Sequence, residues 1–176
     1  MSARCFVSRL VVVLSLSALG AHAQTATFDD WFIVDAKDNS GDVIAATSTD
    51  DGKELLGYRC FRQSGSCMYV LIADTRCDDK ARYPILQNSR AGASNLSAVC
   101  HKTPSNDQLV LSPYKDIEGA IKDGQGLIGF AIPMASGRFK AIRFSLKGGS
   151  EAIVAAERLM NARRNASTPG TGSGTF

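Results

Sequence analysis

Residues 139–160 read FKAIRFSLKGGSEAIVAAERLM. The first eight alternate. Ile142, Phe144 and Leu146 share one side of an extended chain, and Arg143 and Ser145 share the other, which is the period of a strand with one buried face. After Lys147-Gly148-Gly149-Ser150 the period changes: Ala152, Ile153, Ala156, Leu159 and Met160 form an apolar stripe at helical spacing. Ser150 stands where an N-cap belongs, and Glu151 lies in the first turn, where negative charge is favoured. The spacing predicts a strand, a sharp stop and a helix from Glu151 to about Arg163. Arg158, Arg163 and Arg164 read as solvated groups toward the helix's negative end.

Leu127 to Met134 is the partner strand, joined through Ala135-Ser136-Gly137. Asp116 to Lys122 reads as a short helical turn, because Ile117 and Ile121 share a face and Gly124 can end it. Further strands are expected at Phe28–Val34, Glu54–Phe61, Cys67–Ala73, Tyr83–Leu86, Leu96–Cys100 and Leu109–Leu111, and Val43–Ala46 reads as a short strand or as part of a long irregular connection. Gly57 weakens its strand or marks a bulge, and Pro84 pushes its own toward an edge or a strand start. Gln87 to Ser94 reads as loop. Cys67–Ala73 is apolar on both faces, as in a central strand covered on both sides. Trp31, the one tryptophan, is assigned to the core. The expected fold is mainly β: a β-sandwich or strongly curved antiparallel sheet, with one short helix and one C-terminal helix covering an open face, and a single-sheet α+β layout as the alternative.

The N-terminus carries a different message. Arg4 and Arg9 make a basic start, Leu10–Gly20 is apolar, and Ala21-His22-Ala23 is a small-x-small site. That layout is a secretory signal peptide spanning 1–23, cleaved after Ala23. Its apolar run is short of the ~20 residues that span a bilayer, so no integral membrane span is expected. The expectation is a periplasmic or secreted molecule of 153 residues. Residues 24–164 form its one disulfide-stabilised β-rich domain, and 165–176 (NASTPGTGSGTF) form a disordered tail. Without Arg4 and Arg9 the charges stand at 18 basic and 17 acidic, which gives no electrostatic case for nucleic acid.

Four cysteines follow the leader: Cys60, Cys67, Cys77 and Cys100. An even number in an exported chain reads as two disulfides, with three possible connectivities. The simplest is Cys60–Cys67, stapling a hairpin around Arg62–Ser66, plus Cys77–Cys100. On a chain-entropy basis these contribute roughly 2.5 and roughly 3.5 kcal/mol. The cysteines lack the closely spaced pairs usual at zinc.

Catalytic equipment is sparse. His101 is the only histidine after the leader and the one candidate base for a nucleophile, yet no nucleophile elbow accompanies it. Asp29/Asp30, Asp50/Asp51 and Asp78/Asp79 are adjacent pairs, and neighbours on a strand point to opposite faces rather than across a cleft. Asp74, Asp78 and Asp79 match no calcium loop. Gly119, Gly124, Gly126 and Gly129 match no phosphate-binding fingerprint. Nothing requires a metal or a cofactor. What remains is a surface mixture. Tyr58, Phe61, Tyr69 and Tyr83 lie near Arg59, Arg62, Arg82 and Arg90, a composition suited to protein contacts, and Tyr58, Arg62, Tyr83 and Arg90 are the binding candidates. The segment Asp79–Asn95 belongs to the same candidate surface.

The chain also resembles the invasion-associated locus B family of exported bacterial proteins. The likeness lies in the early Trp31 strand, in Ile117-Glu118-Gly119-Ala120-Ile121-Lys122-Asp123-Gly124, and in Ile142-Arg143-Phe144-Ser145-Leu146-Lys147-Gly148 running into a helix with Ala152 and Ile153. It is concentrated between Ile117 and Leu159. Family members carry a cysteine soon after the early tryptophan, where this chain has Val34 and Asp35. The resemblance implies a small, exported, mainly β protein, linked in some pathogens to host-cell invasion, and it carries over no catalytic residue. The expected function is therefore non-enzymatic binding of a protein or an envelope component. The alternative is a small secreted hydrolase using His101 or an acidic pair, or an inhibitor of an envelope enzyme presenting the loop Arg62–Ser66. Oligomeric state is not legible.

Overall fold

The computed structural model describes residues 24–36, 40–103, 106–134 and 136–167. Residues 1–23, read above as a leader, and residues 168–176 lie outside them. Among the described residues the chain forms ten strands and two helices. The strands are β1 (Gln24–Phe28), β2 (Trp31–Asp35), β3 (Val43–Ser48), β4 (Leu55–Cys60), β5 (Cys67–Ile72), β6 (Arg82–Ser89), β7 (Gly92–Lys102), β8 (Asp107–Ser112), β9 (Leu127–Pro133) and β10 (Phe139–Ser145). Helix α1 (Lys115–Asp123) lies between β8 and β9, and α2 (Gly149–Ser167) follows β10.

All strand pairings are antiparallel, in one sheet ordered β1-β2-β3-β4-β5-β8-β7-β6-β9-β10. The sheet is strongly curved and does not close into a barrel. Its last strand comes back over the first few: β10 approaches β3, and Lys140 of β10 meets Glu54 at the start of β4 at 2.7 Å. Helix α2 packs on β1 to β4 and shields the inner face there. The inner face is the core. Trp31, Ile33, Ala45, Leu56, Tyr69, Leu71, Phe130 and Phe144 are buried with Ile117 and Ile121 of α1 and Ala152, Ala156 and Met160 of α2. The alternation expected from Ile142 and Phe144 holds, with both buried and Arg143 exposed.

Several sequence expectations are corrected. The first strand is two, because Asp29 turns the chain with φ of 47°, a left-handed conformation that aspartate tolerates. Gln87–Ser94 is no loop but the end of a long hairpin, with Gln87 opposite Ser94 and Ser89 opposite Gly92. Its residues are polar because most of them are exposed, while Gln87 is buried and accepts from Ser94 Oγ at 2.8 Å. Pro84 is tolerated in this interior strand because β9 pairs only with Leu86–Asn88, leaving Pro84 beyond the end of that ladder. Ser150 does not cap α2: the helix already begins at Gly149, with Gly148 O accepting from Ala152 N at 3.0 Å. The helix runs on to Ser167, three residues into the segment read as tail.

The double glycine has a packing reason. Gly148 has φ of +83°, and a Cβ there would overlap the Phe28 carbonyl oxygen; one on Gly149 would lie 2.9 Å from the Trp31 ring. Gly57 marks no bulge. It makes room for Ile44, whose Cγ2 would lie 3.1 Å from a Cβ at that site.

Candidate functional site

The binding chemistry gathers where β4 turns into β5. Cys60 and Cys67 face each other in register and are bonded, so the six residues between them form a clamped loop. Phe61 N donates to Ser66 O at 2.9 Å and Gly65 N to Phe61 O at 2.8 Å, which fixes the loop internally. Arg62, Gln63 and Ser64 are exposed. The second bond, Cys77–Cys100, ties the chain before β6 to β7. Asp107 approaches both of its sulfurs but accepts from Cys77 N at 3.0 Å, and sulfurs joined in a disulfide offer no thiolate to a metal.

Two grooves flank the clamped loop. The larger, about 880 Å³, is lined by Asp42, Arg59, Phe61, Arg62, Ser64 and Arg164, among others. Its floor is a buried ion pair: Asp42 Oδ2 receives Arg59 Nη2 at 2.7 Å and Nε at 3.0 Å. The other oxygen of Asp42 accepts from Arg62 N at 2.9 Å, so a single carboxylate sets both arginine positions. The Arg59 guanidinium also stacks 5.0 Å from the Phe61 ring centroid. The end of α2 completes this groove. Arg163 pairs with Asp35 at 2.7 Å, and Arg164 lies so close to Gly65 that any Cβ there would overlap its guanidinium. The arginines at the helix end are therefore engaged with the hairpin and with β2, rather than merely solvated.

The smaller groove, about 450 Å³, lies between the hairpin, α1 and α2. Tyr58 and Tyr69 sit opposite each other on β4 and β5 with ring centroids 4.9 Å apart, and Tyr114, just before α1, is 6.4 Å from Tyr69. Tyr58 OH donates to Glu157 Oε1 at 2.8 Å. Burial, then Glu157, raise the Tyr58 phenol well above its usual range, and burial with the field of Glu118 does the same for Tyr69.

The residues singled out in the sequence part company. Tyr58 and Arg62 come together on either side of the clamped loop. Tyr83 accepts from Asp78 N at 3.0 Å, and Arg90, at the tip of the β6–β7 hairpin, donates to Gln125 Oε1. His101 is exposed in β7 opposite Gln108, and among the described residues no hydrogen bond or ion pair involves its ring. The acidic pairs hold turns: Asp29 meets Lys147 at 3.0 Å, Asp30 accepts from Ser145 Oγ at 2.6 Å, and Asp79 accepts from Lys102 N at 3.1 Å. Sequence reasoning missed Asp42, Tyr114, Glu118 and Glu157 as parts of the site. They are brought to it by α1, α2 and the approach to β3, and no local spacing announces them.

No family model matches the chain, and no curated protein matches it. Among solved structures, the crystal structure of invasion associated protein b from Bartonella henselae is similar: TM-score 0.54, 14% sequence identity, 81% of this chain and 99% of that one covered. At that identity the likeness is one of fold. It extends far beyond the 117–159 region in which the sequence resemblance is concentrated.

Proposed function

We propose that the chain is exported after loss of residues 1–23 and works without catalysis, by binding another protein or an envelope component through the Cys60–Cys67 end of the molecule. The observation that carries this reading is the pair of grooves on the two sides of a loop fixed by a disulfide. A rigid loop with aromatic and arginine side chains already in place loses little entropy on binding, and Tyr and Arg are the usual anchors of protein interfaces. The leader-like N-terminus and the two disulfides support export. Among the described residues, no helix is long and apolar enough to cross a membrane. The fold likeness to a protein described as invasion associated fits an exported molecule.

The test is photo-crosslinking in source cells from Gln63, exposed on the clamped loop, against Asp50 in the β3–β4 turn as control. A discrete adduct from Gln63 and none from Asp50 supports the proposal. Equal or absent adducts at both positions, across growth conditions, contradict it. A captured envelope enzyme that the purified protein inhibits favours the inhibitor form of the same reading.

A further inference from the structure

We infer that the groove formed by Tyr58, Tyr69, Tyr114, Glu118 and Glu157 is a cation-recognition site that takes the lysine or arginine side chain of a protein partner. This deepens the binding reading above and rests on it.

Three observations combine. First, the groove is walled by three phenol rings with centroids 4.9 and 6.4 Å apart and tilted against one another, so that different ring faces border the same space. Aromatic faces carry negative potential and attract ammonium and guanidinium groups. Second, two carboxylates border that space, Glu118 from α1 and Glu157 from α2, while no lysine or arginine lines it. Among the described residues neither carboxylate has an ion-pair partner, unlike Asp35, Asp42 and Glu54, each held by a cation at 2.7 Å. Third, Glu157 is positioned: its Oε1 accepts from Tyr58 OH at 2.8 Å, which leaves its remaining acceptor capacity for a donor arriving in the groove.

Size and polarity point to one occupant. About 450 Å³ lies in the range of small-ligand sites. Met160, buried at the base, offers a soft apolar contact for a methylene stem. Tyr114 is half exposed at the rim, where a partner surrounding the inserted side chain would cover it. A long stem with a cationic head fits aromatic walls beside carboxylates.

The experiment is a titration of the protein lacking residues 1–23, both disulfides intact, with Ac-Gly-Lys-Gly-NH2, followed through the tyrosine ring resonances by NMR. The arginine, norleucine and glutamate versions of the peptide, and choline, serve as separate arms. We expect saturable shifts of Tyr58, Tyr69 and Tyr114 with the lysine and arginine peptides. Norleucine and glutamate should give none, and affinity should fall as salt rises. Glu118→Gln with Glu157→Gln keeps the hydrogen-bonding shape and should weaken binding at least tenfold. Tyr114→Leu, which keeps apolar area at an exposed site, should weaken it several-fold. Equal shifts from norleucine, no saturable shift at millimolar peptide, or binding of choline alone would overturn the inference. If the Gln63 adduct forms equally in the Glu118→Gln/Glu157→Gln protein, the cation site falls while the binding reading stands. If peptide binds but no adduct forms, the site stands and the proposed location of the partner falls.

Discussion

The indole Nε1–H of Trp31 donates to the carbonyl oxygen of Ser145 at 2.9 Å, across 114 residues of chain. That bond joins the second strand to the end of the last, two strands that the ladder order leaves far apart in the sheet. It is also where the curvature shows: the sheet bends until β10 stands over β2 and β3. Trp31 is fully buried there, under Gly149 at the start of α2.

Replacing this ring should be felt throughout the molecule. Trp31→Phe loses one hydrogen bond and leaves a small cavity, for an expected loss of about 2–3 kcal/mol. Urea unfolding followed by far-ultraviolet circular dichroism measures it. A loss under 0.5 kcal/mol would mean that the tryptophan does not hold the two ends of the sheet together.

The glycines beneath it are more sensitive still. Gly148→Ala puts a Cβ into the Phe28 carbonyl oxygen, at a φ of +83° that favours glycine. Backbone has to move, so the cost should reach about 3 kcal/mol or more. Gly119, exposed in α1 with open space around its Cα, is the matched control, and Gly119→Ala should be neutral or stabilising by about 0.5–1 kcal/mol. Melting temperatures of the two variants compare them directly.

Much of this architecture is legible in order along the chain. The change from alternating to helical period between Leu146 and Ala152 marks β10 and α2, and Ile117, Ile121 and Gly124 mark α1 and its end. The bonded cysteines form the simplest of the three possible pairings. What escapes is of two kinds. The β6–β7 hairpin looks like loop because its register with β9, not its own composition, makes Gln87 an interior residue. The groove escapes because Tyr58 and Glu157 are 99 residues apart, and neither carries a local sign of the other. Tyr58 itself stands out only as an aromatic beside arginines.

The buried pair of Asp42 and Arg59 sets up the larger groove, and its removal should be asymmetric. Asp42→Ala takes the carboxylate from a guanidinium whose side chain is only 10% exposed and removes the acceptor of Arg62 N; a cost of about 3–5 kcal/mol is expected. Asp42→Leu combined with Arg59→Met should recover part of it, since two apolar side chains leave no stranded charge. A double-mutant cycle by chemical denaturation checks this. Equal losses in the single and double variants would contradict it.

Alkaline titration tests the environment of the tyrosine groove. Tyr58 and Tyr69 are held above the usual phenol range, chiefly by burial. An acid whose pKa rises on folding contributes stability below its unfolded value of about 10, and that contribution is lost as pH climbs toward the folded value. Absorbance at 295 nm should therefore show phenols that ionise only together with alkaline unfolding. Glu157→Gln should bring the Tyr58 transition down while burial still keeps it elevated. Complete ionisation near pH 10 with the fold intact would contradict the packing described.

At the acid end, Glu54 should mark a separate limb. The hydrogen bond from Lys140 holds its carboxyl below the usual range. Its contribution is present above the unfolded value of about 4.3 and is lost as pH falls through the folded one. Lys140→Met should remove that part of the acid dependence, and melting curves between pH 2 and 6 compare the two proteins.

Binding through this end of the molecule requires a chain that leaves the reducing interior of the cell and is clamped at Cys60–Cys67 before it meets a partner. Intact mass and non-reduced peptide mapping of protein recovered from source cells test this most directly. The predicted result is an N-terminus at Gln24 with Cys60 joined to Cys67 and Cys77 joined to Cys100. Material that begins at Met1, or that carries four free thiols at these positions, would contradict it.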